Sequence, residues 1–261
     1  MSHASPALLV SALAAALVAS SPGSVAAATS TSPDPAHTGR LWLYASGTAQ
    51  LSPSWSLTLI PGLRYELARS GEGATTKGHY LDEVFFGPNW STRIGPLGVK
   101  VSLWYYFLGF PRSDTYPLSH NLELIPSVEY RTGAFSLSYR AIFHNTLYAS
   151  VYSTDQRWRL GTVMRNLLMA KYAITESVTA LLGDEPWFGI VEQQGVAYNG
   201  AGYWQSGFRL NRIYAGVDWK LDGGLSLSPQ YVFETAFDAD AKVTEMGHYL
   251  FVTLGYAFKA Y

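Results

Sequence analysis

From Gly39 onward, apolar and polar side chains take turns along the chain, and almost no window repeats apolar residues at helical spacing. A period of two is the mark of a strand with one face in an apolar medium and the other in a polar one. Between Trp55 and Leu67 one row reads Trp55, Leu57, Leu59, Pro61, Leu63, Tyr65 and Leu67, and the other Ser56, Thr58, Ile60, Gly62, Arg64 and Glu66. Leu122, Leu124, Pro126, Val128 and Tyr130 oppose Asn121, Glu123, Ser127, Glu129 and Arg131 in the same way. Phe135, Leu137, Tyr139, Ala141 and Phe143 oppose Ser136, Ser138, Arg140 and His144. The pattern returns in 225–235 and 247–258, and in these five segments the charges keep to the non-apolar row.

Alternation alone also fits a soluble sandwich of two sheets. Segment length separates the two. The segments far exceed the 5 to 6 residues of a typical soluble strand and match the 9 to 11 that a tilted strand needs to cross a bilayer. A charge on the lipid face near the midplane costs about 2–4 kcal/mol for Arg or Lys, which accounts for the clean apolar rows. Trp42, Trp55, Trp90, Trp158, Trp219, Tyr256 and Phe258 lie towards segment ends, where an interfacial girdle of aromatics is expected.

The connections alternate in length. Short ones at 52–54, 95–98, 132–133, 175–177 and 222–224 carry the Gly, Pro, Asp and Ser of tight turns, and long ones fall near 69–78, 108–119, 145–156, 189–206 and 236–246. Short turns at one end and longer loops at the other describe an antiparallel up-and-down transmembrane β-barrel, all-β, over 39–261. The segments counted are 40–51, 55–68, 79–93, 98–107, 120–131, 134–144, 157–171, 177–188, 207–219, 225–235 and 247–258. Because bacterial barrels normally hold an even number of strands, the expectation is twelve, with ten as the alternative.

Composition agrees. Charged residues are 14% of the chain and aromatics 15%, against roughly 25% charged in soluble domains, and mean hydropathy is +0.04. A net charge of −1 offers no basic surface for nucleic acid. The absence of cysteine excludes disulfides and thiolate metal sites, and is compatible with an oxidising periplasm.

The apolar run Ala7–Ala19 is too short to span a bilayer and is followed by Pro22, Gly23 and the small residues Val25-Ala26-Ala27-Ala28. It reads as a secretory signal peptide over 1–28, cut after Ala27 or Ala28. Residues 29–38 are polar and Pro-containing and read as a linker or a segment inside the barrel. Export with a barrel implies the Gram-negative outer membrane, with outer-membrane lipids and the barrel-insertion machinery as partners.

Asp184-Glu185-Pro186-Trp187-Phe188, the strand Asn211-Arg212-Ile213-Tyr214-Ala215-Gly216-Val217-Asp218-Trp219-Lys220-Leu221, the run Leu225-Ser226-Leu227-Ser228-Pro229-Gln230-Tyr231 and a closing strand from His248 to Tyr256-Ala257-Phe258 resemble one family. It is the outer-membrane barrels of domain-of-unknown-function family 2490, and the likeness extends more weakly back to about Trp42. The resemblance implies fold and location and supplies no catalytic residue. Lys259-Ala260-Tyr261 follow the Phe that ordinarily ends such a barrel, so the assembly machinery is left Phe258 or Tyr261 to recognise.

If the apolar rows face lipid, the polar rows face the lumen. Arg64, Glu66, Lys100, Glu123, Glu129, Arg131, Arg140, Arg159, Arg165, Glu185, Arg212, Asp218 and Glu234 then point inward, with acids and bases nearly balanced. Two outcomes are open: an ion-paired lattice that fills the lumen, or a narrow aqueous passage, passive or gated, that orients small polar solutes. A barrel near twelve strands lies between filled small barrels and open porins. An enzyme of another class, modifying lipid with a rim histidine, is the alternative. Its candidates are His144 with Asn145 and Thr146, and His79 with Asp82 and Glu83, but neither group sets a nucleophile, base and orienting acid on one strand face. No catalytic residue is assigned. His120, His144 and His248 lack the short spacing of a metal site, and no cofactor is called for. The Gly-containing runs open no helix and are not phosphate loops. Loop 189–206, rich in Gly and aromatics, is a candidate constriction or external contact.

Overall fold

A computed structural model describes residues 35–71, 77–112, 118–148, 159–192 and 206–260, with the backbone alone at 147–148 and 159–160. Among these residues eleven strands form one closed barrel in chain order. They are β1 (Ala36–Gln50), β2 (Trp55–Ser70), β3 (Gly78–Ile94), β4 (Leu97–Gly109), β5 (Leu118–Thr132), β6 (Phe135–Tyr148), β7 (Arg159–Ala173), β8 (Val178–Val191), β9 (Gly207–Lys220), β10 (Leu225–Phe237) and β11 (Val243–Lys259). The signal segment 1–28 and most of the 29–38 linker lie outside the described residues. Ala36–Thr38 already belong to β1, where Thr38 Oγ1 donates to Glu245 Oε1 at 3.2 Å.

The strand count corrects the expectation of twelve or ten. Every neighbouring pair is antiparallel except one: β1 and β11 run parallel, from Ala36 opposite Glu245 to Gln50 opposite Lys259. An odd number of strands leaves the first and last pointing the same way, and a parallel ladder satisfies their backbone groups without a twelfth. The first strand therefore starts at the long-loop end and the last finishes at the short-turn end.

Turn chemistry fixes which end is which. Gly95 and Gly133 hold left-handed φ angles of 59° and 54° in two-residue turns after β3 and β5, a conformation that a side chain would strain. The opposite end carries the connections 71–77, 110–117, 149–158, 192–206 and 238–242.

The outer face is apolar. Leu59, Leu63, Phe86, Leu103, Leu124, Leu182, Leu250 and Leu254 are exposed along it. In a soluble protein a surface of this kind would aggregate; around a closed barrel it is the face that meets hydrocarbon. Trp55, Tyr130, Tyr172, Trp219, Tyr256 and Phe258 are exposed near the short turns, as an interfacial belt requires. Trp42 is not among them. It is 3% exposed and lies in the lumen, because in β1 the outward row is Leu41 and Leu43 and the indole shares the row of Arg40 and Tyr44. Trp158 lies outside the described residues. Among the described strands two carboxylates break the apolar face: Asp82 on β3, opposite outward Leu63, and Asp184, in the middle of β8 between inward Gly183 and Glu185, which accepts a hydrogen bond from Asn211 Nδ2 at 2.9 Å.

Candidate functional site

The lumen is the site, and its inward rows come from cross-strand register. Glu185 on β8 stands opposite Arg212 on β9, and Arg212 opposite Glu234 on β10, so one row across three strands alternates acid, base, acid. Directly opposed charges of unlike sign stabilise a sheet. Here Arg212 Nε is 2.6 Å from Glu234 Oε2, and its Nη1 is 3.7 Å from Glu185 Oε2.

From this row the pairing continues both ways around the wall. Arg165 on β7 binds Glu185 at 2.8 Å and Glu123 on β5 at 3.3 Å, and Glu123 also lies 2.9 Å from His144 Nδ1. In the other direction Arg40 on β1 lies 3.8 Å from Glu234, 2.6 Å from Glu245 and 3.2 Å from Glu66, and Arg69 joins the last two at 3.1 and 3.0 Å. Arg64 grips Glu83 with Nε at 2.6 Å and Nη2 at 2.8 Å. Phenols complete the acids' coordination: Tyr214 donates to Glu185 and Tyr249 to Glu234, both at 2.6 Å, and Tyr44 and Tyr106 both donate to Glu83. An isolated buried ion pair seldom repays its desolvation, and these carboxylates gain by accepting from several donors at once.

Aromatic rings carry the network across the lumen. The Arg64 guanidinium lies 3.9 Å from the Trp42 ring and that of Arg212 lies 5.0 Å from it. Arg212 is also 4.4 Å from Trp187, and Arg165 is 4.3 Å from the same ring. Cations, stacked over indoles, thus alternate from β2 through β1 and β9 to β8 and β7. Trp42 also belongs to a buried cluster whose other members, Tyr249, Val232, Tyr214, Leu181 and Leu167, sit on the successive strands β11, β10, β9, β8 and β7.

Other predicted residues sit nearer the short turns. Asp218 binds Lys171 at 2.5 Å and accepts from Ser228, while Glu129 pairs at 3.1 Å with Arg131, which is half exposed at the barrel end. Lys100 and Arg140 also line the interior. Arg159 starts β7, and its side chain is outside the described residues. Beside and below the stacked layer runs a cavity of about 940 Å³, lined from Pro53 at a short turn to Phe110 beside a long connection.

The histidines do not gather. His144 is buried in the lumen rather than at a rim, which corrects its candidacy as a lipid-facing base, since the odd–even phase of β6 sends it inward with Ile142 and Thr146. His120 and His248 lie on the outer face, with Nδ1 2.7 Å from Tyr105 Oη and 2.6 Å from Tyr231 Oη. His79 lies 2.9 Å from Asp82 near the long-loop end, whereas Glu83 turns inward to Arg64. Of the 189–206 loop, 189–191 extend β8 and 193–205 are outside the described residues.

Several lumen residues escape a reading by alternation. Arg40, Glu83, Glu245 and the indoles of Trp42 and Trp187 are central here. Glu83 is flanked on its own row by Leu81 and Phe85, both facing the lumen, so no polar row marks it.

No family model matches the chain, and no curated protein matches it either. Among solved structures it is similar to the NanC porin, with a TM-score of 0.51 at 8% identity, covering 79% of this chain and 92% of that one. The outer membrane channel DcaP of Acinetobacter baumannii aligns with 77% of this chain and 58% of its own at 10% identity, with a TM-score of 0.38. The NanC likeness shows the fold: a closed porin-like β-barrel.

Proposed function

We propose that the chain is an outer-membrane channel for small polar solutes whose lumen is narrowed by the stacked Arg and Trp layer. In this reading residues 1–28 direct export, the insertion machinery recognises the C-terminal strand, and outer-membrane lipids meet the apolar face. The resemblance of the Asn211–Leu221 strand and its neighbours to the barrels of domain-of-unknown-function family 2490 agrees with that setting. The single observation that carries it is the cavity of about 940 Å³ whose lining reaches from Pro53 at the short-turn end to Phe110 near the long-loop end. Charged and hydroxyl groups lining such a passage replace part of a solute's hydration, as pore linings do. The test is conductance of the refolded full chain in planar lipid bilayers. Discrete small current steps are expected; intact, heat-modifiable barrels that pass no current would remove the channel.

A second reading, a purely structural barrel, is favoured by the stacked layer itself, in which Arg64 from β2 and Arg212 from β9 both lie against the Trp42 ring and are ion-paired to the wall. It predicts that proteoliposomes neither conduct nor swell in isotonic sugar.

A further inference from the structure

Two rows of inward residues at different heights carry opposite electrostatic logic. The upper row, Glu185–Arg212–Glu234, alternates sign and is fully paired. The lower row crosses β4, β5 and β6 as Lys100 opposite Ser127 and Ser127 opposite Arg140. On β5, Ser127 lies four residues nearer the short turns than Glu123, about 13 Å along the strand.

This lower row has no acid. Among the described residues neither Lys100 nor Arg140 makes a hydrogen bond or an ion pair. The Lys100 ammonium lies 6.0 Å from the Trp104 ring, and across Ser127 it faces Arg140, a like charge. The acids of the layer above, Glu185 and Glu123, are already bound by Arg165. Lys171, lower still, is neutralised by Asp218. Both unpaired cations line the same cavity, together with Ser102, Ser127 and Ser138 and with Glu129, whose carboxylate is bound by Arg131 at 3.1 Å, and Cα atoms two strands apart are about 10 Å from each other. A Lys and an Arg side chain both span such a gap towards one bound group. Two like charges held together inside a low-dielectric wall are costly unless an anion joins them.

We propose that Lys100 and Arg140 form an anion site in the short-turn half of the lumen, taking small solutes that bear a carboxylate or phosphate group. The planar guanidinium supplies paired N–H donors and the ammonium a point charge, with neighbouring serine hydroxyls as further donors. The inference deepens the channel reading by naming the solute class.

Isothermal titration calorimetry of the detergent-folded full chain with inorganic phosphate, with citrate and with maltose as a neutral control tests binding, and reversal potentials in bilayers under a KCl gradient test selectivity. Saturable binding of phosphate or citrate and none of maltose is expected, weakened about tenfold or more in the double variant Lys100→Gln/Arg140→Gln. Which anion binds tells phosphate from carboxylate preference. Asp218→Asn, which frees Lys171 from its partner, is expected to tighten binding, and Lys100→Gln alone serves should the double variant not fold. Anion binding without current removes the channel and keeps the site. Current without anion binding, or binding unchanged in the variants, overturns the site and keeps the channel.

Discussion

The guanidinium of Arg64 lies 3.9 Å from the ring of Trp42, on the face of an indole that also receives Arg212 at 5.0 Å. Neither arginine is left to the ring alone, since Arg64 is held by Glu83 and Arg212 by Glu234 and Glu185. The indole thus connects two ion-paired systems anchored on different parts of the wall.

Trp42→Ala is expected to do two opposed things. Loss of the ring from the cluster with Leu167, Leu181 and Tyr214 costs about 3–5 kcal/mol, seen as a lower urea midpoint for barrels unfolding from micelles. The same loss widens the passage, so single-channel current rises severalfold. A destabilised barrel with unchanged current would show that the layer does not limit flow.

Glu185 accepts from Arg165 and Tyr214 and is the acid shared by Arg165 and Arg212. Glu185→Ala leaves two buried guanidinium groups short of an anion and is expected to cost about 3–5 kcal/mol. Glu185→Gln keeps an oxygen acceptor of the same shape and should fall between the wild type and Ala in urea titrations. Equal losses from the two substitutions would mean that packing, not charge, holds the row.

The outer surface was legible in the sequence because hydrocarbon imposes one rule on every strand: Leu57, Leu59 and Leu63, or Leu122 and Leu124, have no alternative to facing out. The lumen imposes no such rule. Trp42, Leu81, Phe85, Trp104, Ile125 and Ile142 face inward and pack with one another or with the network. A polar row therefore marks the inside only in part, and Glu83 between Leu81 and Phe85 was hidden by it. Parity was misjudged for a different reason. The eleven segments were visible, but the parallel seam between β1 and β11 is a long-range pairing with no local mark in either strand.

Gly87 on β3 marks a close approach. A Cβ there would stand 2.1 Å from the Leu103 carbonyl oxygen and 2.8 Å from Trp104 Cα, both backbone atoms that cannot move without parting β3 from β4. Gly87→Ala is expected to lower the yield of heat-modifiable folded barrel sharply. Gly47→Ala, whose nearest atom would be the Leu59 carbonyl oxygen at 3.9 Å, should fold as the wild type does. The comparison on unheated gels separates a local clash from a general intolerance of alanine.

Asp184 places a carboxylate on the outer face near the middle of β8, with Leu168 and Ile213 in register on either side. Its partner Asn211 gives it one hydrogen bond at 2.9 Å, while the Asn211 Oδ1 atom is itself buried and unbonded. Replacing Asp184 alone would strand the amide, so the informative variant is Asp184→Leu/Asn211→Val, which removes both polar groups together. If this face meets only acyl chains, the double variant is expected to be about 1–3 kcal/mol more stable in urea titrations from phospholipid vesicles. A loss of stability, accompanied by a smaller particle on size exclusion with light scattering, would instead mean that the pair meets polar groups of another polypeptide within the bilayer.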